Sequence, residues 1–298
     1  MPTQHLKPFA WYGGKEQLAA LLCSLLPVHE VYCEVFGGSG ALLFAKPKSR
    51  LEIFNDLDSG VVTFFRVLRN PEQAKELQRL LSLTPYAHEE YDDCLTHWEA
   101  ATDPVERARQ WYVGVMMSMN SSIRNTGWSC TKEPGSNPAR SFRHAIERLD
   151  RCTARLAQVQ IDHRDFERIL QIYDSAVTCF YLDPPYLPAA RRKRYTYHQE
   201  MSLEDHQRLL SSIAQVKGMV ILSGYAHPLY QEALASWHCL RLTMRCSSAV
   251  RSLTSLQERP VEQGDWTRTE CLWLNPACVR QQPTLFSSLL EAEDEVQA

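Results

Sequence analysis

The 298-residue chain has no C-x-x-C pair; its ten cysteines lie singly from Cys23 to Cys278. Disulfide frameworks belong to small secreted chains and zinc sites need clustered ligands, so a reduced, cytoplasmic, metal-free protein is expected. A surplus of positive charge is missing too. Lys+Arg 32 against Asp+Glu 35 leaves a net charge of -3, so any nucleic-acid surface must gather its basic residues on one face. No apolar run approaches the roughly 18–20 residues that cross a bilayer. The start, Met1 to Lys7, lacks the apolar stretch of a signal peptide. No internal repeat is evident. What remains is a globular composition, 44% hydrophobic and 22% charged, enough for one large domain or two small ones.

The first 68 residues alternate helix and strand. Glu16 to Leu26 has helical spacing, Val31 to Phe36 is a short strand ending in glycines, Ala41 to Ala45 is helix, and Leu51 to Phe54 is a strand that runs into Asn55-Asp56. This is the opening of a doubly wound α/β sheet. From about Asn70 to Arg155 the strands give way to charged helical patterns, such as Glu72 to Leu83 and Pro104 to Met119, and a polar loop from Asn120 to Pro138. Arg140, Arg143, Arg148, Arg151 and Arg155 then recur at helical spacing, most of them on one side of a single helix. The α/β rhythm resumes with strands at Val159 to Ile161, Val177 to Leu182 and Met219 to Ser223. A helix from Ser202 to Val216 carries Asp205 three residues into a capping box, and Cys239 to Met244 with Glu270 to Leu274 forms a closing antiparallel pair. The acidic stretch Glu291 to Glu295 reads as a disordered tail.

Glu34-Val-Phe-Gly-Gly-Ser-Gly40 follows a strand and opens a helix, where the missing Cβ atoms admit close approach of a ligand to the backbone. The dinucleotide fingerprint G-x-G-x-x-G needs a glycine where Leu43 stands, and a phosphate loop ending at Gly14-Lys15 needs glycine at Phe9 and Ser or Thr at Glu16. Both fail. A nucleoside without a pyrophosphate remains, with Asp56 at the end of the next strand placed to accept hydrogen bonds from ribose hydroxyls; alone, Asp56 reads equally as a turn residue.

Asp183-Pro184-Pro185-Tyr186 carries the most information. Two prolines stop a strand, stiffen the backbone and remove two N–H donors. They leave carbonyl oxygens and the Asp183 carboxylate as acceptors at the carboxyl end of a sheet strand. The exocyclic amino group of a planar ring is a matching donor. Tyr186 offers a face for that ring, a contact worth on the order of 1–3 kcal/mol in nucleic-acid complexes.

These residues resemble a known family. Asp183-Pro-Pro-Tyr186 looks like motif IV of amino-group methyltransferases that use S-adenosylmethionine, Glu34 to Gly40 looks like their motif I, and Trp11-Tyr-Gly-Gly-Lys15 is similar to the N-terminal motif of Dam-like DNA adenine N6-methyltransferases. The order of motifs is the alpha arrangement of that family, over residues 6 to about 275. The resemblance implies a Rossmann-like doubly wound mixed sheet built from residues 1–68 and 157–280, a helical target-recognition insert over 69–156, and a flexible tail over 281–298. It implies methyl transfer from S-adenosylmethionine to the amino group of an adenine flipped out of duplex DNA, as in restriction-modification. Trp11, Lys15, Glu34, Phe36, Gly38, Gly40, Asp56, Asp165, Phe166 and Asp183 would then hold the cofactor, and Asp183, Pro184, Pro185 and Tyr186 would serve the base. No metal is required, and the absence of a Pro-Cys dipeptide excludes a cytosine-C5 enzyme.

For DNA contact the candidates are Arg124, Arg140, Arg143 and the run Arg191-Arg192-Lys193-Arg194-Tyr195, which directly follows the Asp-Pro-Pro-Tyr loop. Asn120 to Trp128 matches the family's recognition segment only loosely, so the DNA sequence read stays open. Gln282-Pro-Thr-Leu-Phe286 resembles the short peptide that docks bacterial proteins on the replication sliding clamp, and a monomer or weak dimer is expected. Two other readings stand beside the leading one: an amino-group methyltransferase for RNA or protein glutamine, and a DNA-binding relative that has lost catalysis.

Overall fold

The structure is a computed structural model that describes residues 6–11, 13–119, 121–123, 127–133, 135–187, 200–245 and 267–282. The chain opens with α1 (Ala19–Leu25), β1 (Val31–Glu34), α2 (Ala41–Ala45), β2 (Leu51–Asn55) and α3 (Ser59–Arg69). Five helices follow: α4 (Pro71–Leu83), α5 (His88–His97), α6 (Pro104–Met116), α7 (Pro138–Glu147) and α8 (Leu149–Leu156). Then come β3 (Val159–Asp162), α9 (Phe166–Tyr173), β4 (Thr178–Leu182), α10 (Leu203–Ile213), β5 (Met219–Tyr225), α11 (Pro228–Ala233), β6 (His238–Arg245), β7 (Thr267–Leu274) and α12 (Pro276–Arg280).

Helix starts obey local chemistry. Asn70, Asp103, Asn137 and Asn275 each accept a backbone N–H of the following first turn, and each is followed by a proline at the first helical position. A proline there loses no hydrogen bond and brings a helix-compatible φ. At α10 both halves of the capping box form: Asp205 N–H donates to Ser202 Oγ at 3.1 Å, and Ser202 N–H to Asp205 Oδ2 at 2.9 Å.

The seven strands form one sheet in the order β3-β2-β1-β4-β5-β7-β6. The first five are parallel, and β7 runs antiparallel to both β5 and β6. Alternate side chains separate two hydrophobic clusters, one per face, as a period of two requires. Cys33, Ile53, Phe180, Leu222 and Trp273 meet α9, α10 and α11 on one face. Tyr32, Phe54, Tyr181, Ile221 and Leu272 belong to the other cluster. That second cluster continues without a break through Phe64 and Phe65 of α3 into Leu77, Trp111, Tyr112, Phe142 and Leu156 of the helical segment. The segment expected as an insert over 69–156 therefore shares its core with the sheet.

The arginines of 140–155 do not ride one helix. The chain breaks at Arg148 between α7 and α8. Arg155 points back to the sheet, where its guanidinium grips Glu52 of β2 at 2.5 and 2.8 Å beside Lys46, which reaches the same carboxylate at 2.6 Å. An arginine spent in that pair cannot face DNA. Met119, read as part of a helix, lies past the end of α6 and is 59% exposed.

The strand order sets the site. From β1 the chain winds outward to β2 and β3, then crosses back to β4 and β5. A crevice opens at the carboxyl ends of β1 and β4, the point where ligands bind in open α/β sheets. Glu34 closes β1 and Asp183 directly follows β4, so the fold brings the glycine turn and the Asp-Pro-Pro-Tyr loop to one place.

Candidate active site

Trp11, Lys15, Glu34, Phe36, Gly38 and Asp56 line one cleft with Asp165, Phe166 and Asp183. Pro185 also lines it; Gly40 and Pro184 do not. The cleft floor is built from backbone turns tied by carboxylates. Asp56 accepts Gly38 N–H at 2.7 Å and Asp58 N–H at 2.8 Å. Asn55 bonds the carbonyls of Val35 and Arg164 and accepts Arg164 N–H, clamping the ends of β1 and β2 to the β3–α9 loop.

The glycines answer first to the protein's own rings. Gly38 has φ +49, and a Cβ there would sit 2.8 Å from Trp11 Nε1; a Cβ at Gly37 would lie 2.2 Å from the Phe54 ring. Trp11 in turn packs on Trp111 of α6 and edge-on to Phe9. The helical segment thus supports the wall of the cleft, a link that motif spacing cannot reveal.

Glu34 is buried and accepts Tyr32 Oη–H at 2.9 Å and Leu43 N–H at 3.0 Å. Burial outweighs these bonds and pushes its carboxyl up to about 8. Burial likewise lifts Asp56 to about 6, with Asp58 adding repulsion and the backbone bonds opposing. At the other end, Phe36 and Phe166 lie 5.9 Å apart. Asp165 caps α9, and Arg208 of α10 reaches Asp165 at 3.1 Å and Glu167 at 3.2 Å while its guanidinium stands 4.9 Å from the Phe166 ring centre. Two aromatic rings and a carboxylate suit a flat heterocycle with an amino edge.

Beside Asp183 lies a buried charged cluster. Lys15 Nζ is 2.9 Å from Asp183 Oδ1, 3.3 Å from Glu270 Oε1 and 2.6 Å from Tyr186 Oη. Tyr186 Oη is also 3.0 Å from Asp183 Oδ1 and bonds Glu270 Oε1. Its ring was expected to offer a stacking face; here it is 7% exposed and edge-on to Tyr225 at 4.4 Å. Burial raises the Asp183 carboxyl, opposed by Lys15 and assisted by Glu270. Burial lowers Lys15, but the two carboxylates more than compensate and leave it raised.

Sequence reasoning missed Asn55, Arg208, Ser223 and Glu270. Asn55 adjoins Asp56 and was within reach of the reading; the other three come from segments with no motif. Of the DNA-binding candidates, Arg140 and Arg143 are exposed on α7, and neither lines the cleft. Arg143 donates to the Ser82 carbonyl at 3.1 Å. Arg124, Arg191, Arg192, Lys193, Arg194 and Tyr195 lie outside the described residues. Trp128, from the loosely matched recognition segment, packs against Tyr86 and stacks on His88. Gln282, the first residue of the clamp-like peptide, donates its side-chain amide to the Leu26 carbonyl at the end of α1; residues 283–286 lie outside the described set.

A parallel sheet with one antiparallel strand, a cleft lined by Glu34, Asp56, Phe166 and Asp183 at its switch point and an Asp-Pro-Pro-Tyr loop beside it define a methyltransferase of the doubly wound α/β class. A family model described as D12 class N6 adenine-specific DNA methyltransferase matches residues 11–243, and the chain belongs to that family. Its activity is adenine-specific DNA methylation. The chain is similar to the Type II methyltransferase M.MjaIII of Methanocaldococcus jannaschii, 25% identical over 229 residues, which cover 68% of this chain and 77% of the relative. Among the described residues, no helix is long and apolar enough to cross a membrane.

Proposed function

We propose that the methyl donor is S-adenosylmethionine, bound in the cleft between residues 34–40, 56 and 165–166, and that the acceptor is an adenine flipped out of duplex DNA at a specific site. The single observation that carries this reading is the position of Asp183: it leaves β4 at the switch point, shares the cleft with Glu34 and Asp56, and is held by Lys15. The residues fit the donor. Asp56 suits ribose hydroxyls, Phe36, Phe166 and Asp165 suit an adenine, and Glu34, with its carboxyl at about 8, would meet a cationic amino-acid end as an anion only on losing its proton.

When bound, the donor supplies a sulfonium-activated methyl group. The chain does the rest. Asp183 and the Pro184 carbonyl accept the two N–H bonds of the adenine amino group and favour tetrahedral nitrogen, whose lone pair is otherwise spread into the ring. That lone pair would form the new N–C bond as the donor's bond to the methyl group breaks, and Asp183 would receive the amino proton that leaves. Positioning two bound reactants contributes roughly 7–11 kcal/mol to lowering such a barrier. Extrusion of the base costs a few kcal/mol. Arg140, Arg143, Arg124 and the 191–195 run are the proposed DNA contacts, with 69–156 as the recognising segment. The same reading has the protein act in the cytoplasm as a monomer or weak dimer. Docking on a sliding clamp through Gln282–Phe286 would require Gln282 to leave the Leu26 carbonyl.

The test is transfer of labelled methyl from S-adenosylmethionine to duplex DNA, RNA and protein in parallel. Label is expected in N6-methyladenine of duplex DNA alone, and Asp183→Ala is expected to bind DNA but transfer nothing. Label in RNA or glutamine, or normal turnover by Asp183→Ala, overturns the reading.

A further inference from the structure

Asp183 is not the only carboxylate behind the Asp-Pro-Pro-Tyr loop. Glu270 of the antiparallel strand β7 sits in register with Tyr225 on β5 and Leu242 on β6. It is 8% exposed, yet its motif-free segment gave no reason to place it near the chemistry. Three donors converge on its Oε1: Ser223 Oγ at 2.8 Å, Tyr186 Oη, and Lys15 Nζ at 3.3 Å. Two of these, Lys15 and Tyr186, also reach Asp183 Oδ1, at 2.9 and 3.0 Å.

The competition is decided by counting protons. Tyr186 has one hydroxyl proton and Lys15 one positive charge, and both are claimed by two carboxylates. Tyr186 cannot donate to Asp183 and Glu270 at once. Its phenolic oxygen also accepts from Lys15 at 2.6 Å, so its single proton goes to one of the two carboxylates and not to both. Without Glu270, the full ammonium charge and the hydroxyl proton would fall on Asp183. A carboxylate so saturated is a weaker acceptor for an amino group.

We propose that Glu270 is a positioning residue for methyl transfer: it draws the Tyr186 hydroxyl and part of the Lys15 charge away from Asp183, and so keeps Asp183 a strong acceptor for the amino group of the target base. The inference rests on the reading of Asp183 given above and deepens it. Ser223 holds Glu270 from β5, and Tyr186 and Lys15 form the bridge between the two acids. The charge of the cluster supports the same point. One ammonium faces two carboxylates, and within this buried group Glu270 acts to raise the Asp183 carboxyl while Lys15 acts to lower it. Among the described residues, the other titratable groups around Glu270 are Tyr181 on β4, Tyr225 on β5 and its neighbour Cys271. Only Lys15, Tyr186 and Ser223 have a described hydrogen bond or ion pair with its carboxylate.

Glu270→Gln preserves shape and removes the charge. Single-turnover transfer to adenine-containing duplex DNA, measured from pH 5.5 to 9, is the experiment. The variant is expected to lose at least tenfold in the rate of the chemical step, to keep its affinities for S-adenosylmethionine and DNA within about twofold, and to move the acid limb of the rate profile to lower pH. The shift follows because the charge that raised Asp183 is gone. Glu270→Asp, which keeps the charge, is expected to leave the acid limb at the wild-type position. A Glu270→Gln enzyme with the wild-type rate and an unmoved acid limb overturns the proposal. So does an equal loss in both variants that tracks a lowered melting temperature with no shift in either profile, since that marks a purely structural role. If the wild type transfers nothing to adenine in DNA, the function reading has failed instead, and the two failures are thereby distinguished.

Discussion

Gly38 and Trp11 leave each other no room: the glycine takes a left-handed φ of +49, and its missing Cβ would lie 2.8 Å from the indole Nε1. Gly38→Ala therefore strains the backbone and pushes the Trp11 ring off its support on Trp111. We expect a cost of about 1–3 kcal/mol in stability and at least a tenfold loss of donor affinity. Calorimetric titration of S-adenosylmethionine alongside a urea melt checks both.

Glu34 gives the protein a pH signature. Its folded carboxyl stands at about 8 against an ordinary value of 4.5, so between those limits the folded state binds a proton that the unfolded chain does not. Stability should therefore fall as pH rises through the window from 4.5 to 8, by on the order of a few kcal/mol. Glu34→Gln should flatten most of that slope. Chemical denaturation at pH 5, 6.5 and 8 measures it; an equal slope in the variant would show that the loss arises elsewhere.

Asp56 acts on binding over a lower range. With its carboxyl at about 6, it is ionised above that pH and loses acceptor strength below it. Donor affinity should weaken as pH falls from 7 to 5, and Asp56→Asn should bind weakly with no such trend. Titrations in matched ionic strength separate the two profiles.

Arg155 and Glu52 join the last helix of the helical segment to the sheet, both side chains less than a tenth exposed. Arg155→Met leaves Glu52 buried with Lys46 and the Ser49 N–H, and we expect a loss of about 3 kcal/mol. Adding Glu52→Gln should lose more rather than recover it, because Lys46, buried 2.6 Å from that carboxylate, is then left without its counter-ion. Thermal or urea melts of the single and double variants close the cycle.

Local rules carried the reading of the sheet. The strand beginnings, the capping box at the start of α10 and the closing antiparallel pair all follow from side-chain type and period, and the two motifs end adjacent strands. The reading failed where long-range packing decides. The helical period of the arginines was real, but Arg148 breaks the helix and Glu52, distant in sequence, captures Arg155. Glycine was rightly marked in the turn, yet the rings of Trp11 and Phe54 demand it before any ligand does. The Tyr186 hydroxyl joins the Lys15 cluster, a contact that no local pattern gives. Glu270 carried no local signal at all, because only the pairing of β7 with β5 brings it to Lys15.

That pairing has a temporal side. β7 slots between β5 and β6, yet the ribosome makes it after both. A nascent polypeptide stopped at β6 holds the glycine turn and the Asp-Pro-Pro-Tyr loop but lacks the strand that completes the acid pair. The charged cluster can be completed only once translation has passed β7, so a half-made chain has the recognisable motifs without the finished centre.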